Sequence, residues 1–126
     1  MKHILLSSII LAASTAYAEE MPIVAEKSKV EWEGSKVVGG SHQGTLKVKS
    51  GSIEFVKALP KSAKVVVDMT TIVNTDLTDA TWNKKLVDHL KSDDFFSVDK
   101  FPEARIEISD FKKLDGGSYL LKGKLT

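Results

Sequence analysis

Cysteine is absent from the 126 residues, which removes disulfides, thiolate metal ligands and a cysteine nucleophile together. The fold must stand on its apolar core. An excess of one charge is also missing, because 18 basic residues face 17 acidic ones. The two signs are interleaved along the chain, so no run of one sign offers a site for nucleic acid or an acidic substrate. Long apolar runs are lacking as well. The longest lies near the start, Ile4 to Ala13, well short of the roughly 18 residues that a membrane-spanning helix needs. No internal repeat, low-complexity segment or linker divides the chain, and its length suits one domain.

That apolar stretch follows a short basic start, Lys2 and His3, and precedes Ala16-Tyr17-Ala18, a small-x-small cleavage pattern. Residues 1–18 are therefore expected to be a signal peptide, with the exported domain at residues 19–126 and no stable membrane insertion after cleavage. Without Lys2, basic and acidic residues number 17 each.

The remaining sequence alternates with period two, the mark of half-buried strands. Val30 and Trp32 share one side of KVEWE; Leu46 and Val48 share one side of GTLKVKS. A turn at Ser50-Gly51 is expected next, followed by Ile53 and Phe55 on one side of a new strand. Val65, Val67 and Met69 align in KVVVDM, and Ala104, Ile106 and Ile108 in EARIEI. Asp115-Gly116-Gly117 marks a hairpin whose return strand begins SYLL, with Tyr119 and Leu121 facing inward. The pattern runs to Thr126 without a turn or polar tail, so the sequence is expected to be a C-terminally incomplete copy of a longer domain.

One segment has helical spacing. Trp82, Leu86 and Leu90 recur at i, i+4 and i+8, with Asp79 placed as N-cap. The helix from Thr81 to Leu90 is too short to stand without docking on the sheet. After it comes HLKSDDFFSVDKFP, residues 89–102, with three phenylalanines in seven positions. A connection so rich in large rings packs against something.

Catalytic motifs are not in evidence. His42 and His89, with Asp68, Asp76, Asp79, Asp88, Asp93 and Asp94, supply metal-ligand chemistry, but no HExxH, HxH or helically spaced histidine pair organises them. No G-x-S-x-G elbow is present. The glycine-rich GSKVVGGSHQG, Gly34 to Gly44, lacks both phosphate-binding fingerprints and reads as a hairpin. His42, just past its tip, is either a rim group at a cavity mouth or simply solvated. A hydrolase using His42, His89 and aspartates, and a packed barrel that binds nothing, stay open as alternatives.

GGSHQG, VVVDMTTIVNTD and above all KLVDHLKSDDFFSVDKFPEARIEI at Lys85 to Ile108 resemble the YceI-like family of periplasmic proteins. The likeness covers almost all of the chain after residue 18. The resemblance implies a lipocalin-like antiparallel β-barrel, a periplasmic location, no enzymatic activity and a polyisoprenoid or quinone-like lipid as ligand, with no other cofactor. A barrel of about eight strands is wide enough for one slender ligand. On that implication the strand side chains named above line the channel: Val30, Trp32, Leu46, Val48, Ile53, Phe55, Val65, Val67, Met69, Ile106, Ile108, Tyr119 and Leu121. Trp82, Phe95 and Phe96 join them at its mouth. The family's closing strands are missing after Thr126, in keeping with an incomplete copy.

Overall fold

The computed structural model describes residues 16–126. Most of the expected signal peptide lies outside the described residues; Ala18, its last residue, already begins a strand and pairs with Val56. The elements are β1 (Ala18–Pro22), β2 (Lys29–Ser35), β3 (Ser41–Val56), β4 (Leu59–Asn74), α1 (Ala80–Lys91), β5 (Glu103–Lys113) and β6 (Tyr119–Leu125). They form one six-stranded sheet in the order β1-β3-β4-β5-β6, with β2 also paired to β3. Every pairing is antiparallel. The fold is thus the expected all-β antiparallel sheet with one short helix, curled but not closed among the described residues.

β1 and β2 share one edge of β3, against its far and near ends respectively. β4 occupies the other edge. The expected turn at Ser50-Gly51 is corrected: β3 runs unbroken for 16 residues, and the chain reverses instead at Lys57 and Ala58, both at positive φ. Gly51 is required for another reason. A Cβ there would lie 2.6 Å from the Lys64 carbonyl oxygen and 2.8 Å from Ile23 Cδ1, so the glycine permits close approach rather than reversal.

Two irregularities keep the apolar side chains on one face. Val48 pairs with Val67 but Ser50 pairs with Val66, so Lys49 is an extra residue in β3. That bulge reverses the alternation and brings Ile53, opposite Ala63, to the same face as Val48. Farther along, Thr45 pairs with Val73 and Lys47 with Asp68, leaving Met69 to Ile72 as an excursion of β4. Thr71 Oγ1 holds it, accepting from the Lys47 amide at 2.9 Å and donating to the Asp68 carbonyl at 2.6 Å.

The core sits under α1 and the segment that follows it. Leu46, Val67, Met69 and Ile72 from the sheet meet Leu90 and Val98. Asp79 caps the helix as expected, accepting from the amides of Thr81 and Trp82 at 2.9 Å each. Leu90 is buried, Leu86 and Val87 are half-buried and Trp82 is exposed. Helix geometry explains this gradient: at about 100° per residue, a position eight residues away has turned by about 80°. The i, i+4, i+8 stripe therefore winds off the sheet before it reaches Trp82.

Candidate functional site: an apolar trough

The strands place their inward side chains in register across the sheet. Val30 lies opposite Leu46, Val67 opposite Ala104, Val65 opposite Ile106, and Ile106 opposite Leu125. The result is a trough along the concave face. Its upper part is a hollow of about 450 Å³ bounded by Val30, Leu46, Val67, Met69, Ala104, Ile106 and Leu125, with Phe95, Phe96 and Phe101 along one wall. A second hollow of about 340 Å³ continues it past Val48, Val65, Ile108 and Leu121, sharing Val30, Ile106 and Leu125 with the first.

The aromatic wall is held by backbone bonds rather than by ring burial. Ser97 takes a positive φ of 46°, and its amide donates to the Ser92 carbonyl at 2.9 Å. Phe96 N donates to Leu90 O, Val98 N to Lys91 O, and Met69 N to Pro102 O, which ties the segment to both helix and sheet. Val98 is the anchor, with only 4% of its surface exposed. The rings themselves remain 47–65% exposed, and they face the trough without filling it. Phe95 also meets the His89 ring edge-on at 4.9 Å. Asp93 points outward, bonded by Lys100 at 2.7 Å.

Not every residue expected in the channel lies there. Trp32 packs on the core beside the trough and crosses Gly44, where a Cβ would sit 2.6 Å from Trp32 Nε1 and 1.8 Å from the Val73 carbonyl oxygen. Its indole donates to that carbonyl at 3.0 Å. Ile53 and Phe55 are half-buried at the β1 end of the sheet, away from both hollows. Tyr119 stands at the β6 end, edge-on to Phe111 at 6.1 Å. Trp82 and His42 lie elsewhere: with Leu77, Lys85, Leu86 and His89 they border a separate groove of about 290 Å³ between α1 and the tip end of the β2–β3 hairpin, where His42 pairs with Gly34. Phe101, Ala104 and Leu125 line the trough without having been singled out as ligand contacts in the sequence. The FPEA junction and the period-two pattern of β5 were the signals for the first two; Leu125 required knowledge of the β5–β6 register.

The polar groups are organised for structure. Asp76 accepts from the Gln43 amide, His42 Nδ1 and Asn74 Nδ2 at 2.8, 2.8 and 2.6 Å. These bonds, the backbone one foremost, lower its pKa to about 2. The carboxylate thus fixes the tautomer of His42 with its proton on Nδ1. His89 lies 3.5 Å from a different acid, Asp94. Among the described residues no three histidine or acidic side chains converge into a metal-sized cluster. In the trough, Glu103 stands at the rim of the larger hollow and Lys29 and Lys124 at the smaller. Hydrogen bonds from Lys49 and then Arg105 hold Glu103 below the usual carboxylate range. The interior between them is hydrocarbon. An alkyl or prenyl chain laid along it would gain about 0.8 kcal/mol per buried methylene.

Residues 22–126 match the YceI-like domain. Over 83 residues the sequence is 36% identical to the UPF0312 protein plu2095 of Photorhabdus laumondii subsp. laumondii, an alignment covering 66% of this chain and 40% of that protein. The chain thus matches about two-fifths of that relative's length. Family match, antiparallel sheet and the ordered Lys85 to Ile108 segment agree, and the chain belongs to the YceI-like domain family.

Proposed function

We propose that the protein is a non-enzymatic lipid-binding protein that works in the periplasm, exported by its N-terminal segment, and holds one polyisoprenoid or quinone-like chain along the trough. The single observation that carries this reading is the continuous apolar lining from Met69 and Phe96 to Ile108 and Leu121, with charged groups only at its margins. Such a surface recognises length and width, not a particular head group, and has no acid–base pair positioned across it. The formally balanced charge supports a neutral or lipidic partner over nucleic acid. The hydrolase alternative has no comparable support, because His42 and His89 are each paired to a different aspartate.

The test is mass spectrometry of the full chain purified without detergent from a Gram-negative host, followed by solvent extraction. One prenyl-type lipid per chain is the expected result. A protein free of lipid that also fails to take up a prenyl alcohol offered in solution would overturn the proposal.

A further inference from the structure

The β2–β3 hairpin ends in Lys36-Val37-Val38-Gly39-Gly40. Val37 and Val38 are 105% and 88% exposed, so the fold gains nothing from packing them. The turn itself is supplied by its neighbours: Gly39 takes φ 118°, and the Lys36 amide closes the loop onto the Gly40 carbonyl. Two adjacent β-branched side chains in such a turn are unusual, and polar residues would serve the hairpin equally well. Lys36 has no ion-pair partner among the described residues.

The same end of the molecule carries a second exposed apolar group with a cation beside it. The groove beside the hairpin's tip joins His42, which pairs with Gly34 next to the turn, to Trp82, Lys85 and His89 of α1. Trp82 is exposed there, and Lys85 Nζ lies over its ring at 4.7 Å. An indole beside an ammonium is well suited to the boundary between lipid headgroups and acyl chains.

We propose that this end is a membrane-docking face, in which the Val37-Val38 tip enters the headgroup layer of an anionic bilayer while Lys36 and Lys85 face its phosphates. A narrow projecting tip favours a bilayer over a protein partner, since a stable protein interface buries about 800 Å² per partner over a broad matched surface, whereas a headgroup layer parts around a finger. The contact is peripheral and reversible. No described helix is long and apolar enough to cross a membrane. Docking would give the trough access to its lipid; only this purpose rests on the function proposed above, and the docking itself does not.

The experiment is flotation of the full chain with vesicles of phosphatidylglycerol and phosphatidylethanolamine, and with phosphatidylcholine vesicles for comparison. The wild type should float with the anionic vesicles and far less with the zwitterionic ones. The Val37→Ser/Val38→Ser variant should lose about ten-fold in partitioning, and Lys36→Gln about five-fold, with unchanged circular dichroism and melting temperature. Bound lipid, extracted from the same samples, separates the two proposals: docking by a protein that carries no lipid would sink the binding function and keep this one. The docking face is refuted if the wild type floats with neither vesicle, if the serine variant floats equally well, or if light scattering shows a dimer that the serine variant abolishes.

Discussion

Two halves of one sheet face carry the same alternating pattern and end in different states. Under α1 and the 92–102 segment, Leu46, Val67, Met69 and Ile72 are buried with Leu90 and Val98. Toward the β6 edge, Tyr119, Leu121 and Leu125 point the same way and remain exposed. Period-two alternation thus determines which way a side chain faces; a covering element determines whether it becomes core. Among the described residues, the strand that carries Leu121 has a neighbour on one edge only and no helix packed over it. The trough is the boundary between these halves, walled by rings that belong fully to neither.

The covered half should answer to mutation as a core does. Ile72 is 2% exposed, and Ile72→Ala should cost about 2–5 kcal/mol in denaturant unfolding. A loss below about 1 kcal/mol would break the distinction between the halves. Asp79→Ala removes the cap that starts the covering helix and should cost about 1 kcal/mol, measured in the same way. The comparison sharpens if that loss also exposes Leu90 and Val98, seen as faster amide exchange in α1.

A smaller, pH-dependent effect is expected where the helix leaves the sheet. The pKa of Asp76 is depressed to about 2 in the fold, so its ionised form favours folding. That stability is fully present above the ordinary carboxylate pKa and disappears as pH falls through the folded value. The stability difference between wild type and Asp76→Ala should hold near neutrality and close between about pH 4 and pH 2. A difference independent of pH across that window would show that the carboxylate charge contributes nothing.

Much of this was legible in the sequence. The strand directions of Val30, Leu46, Val67, Ile106 and Ile108, the Asp79 cap and the Asp115-Gly116-Gly117 hairpin follow from local spacing and turn chemistry. What was hidden depends on partners. The bulge at Lys49 is defined only against β4, so Gly51 resembles a turn residue when read alone. Trp82 fits a helical stripe on paper, yet accumulated rotation carries it off the sheet. Val98, short and set among phenylalanines, gives no sign that it is the anchor. The rings beside it face the trough because their backbone, fixed at Ser97 and Ser92, leaves them no room in the core.

The central claim is that Phe95 and Phe96 form the wall of a binding trough and not part of the core, and retention of bound lipid beside thermal stability tests it most directly. Phe95→Ala and Phe96→Ala in the full chain should each lower prenyl-lipid occupancy about ten-fold while costing about 1 kcal/mol or less, since both rings are already half exposed. Ile106→Ala, at the base of the trough, should lower both. Losses of 3–5 kcal/mol in the two phenylalanine variants, with lipid occupancy unchanged, would make the rings ordinary core and contradict the account.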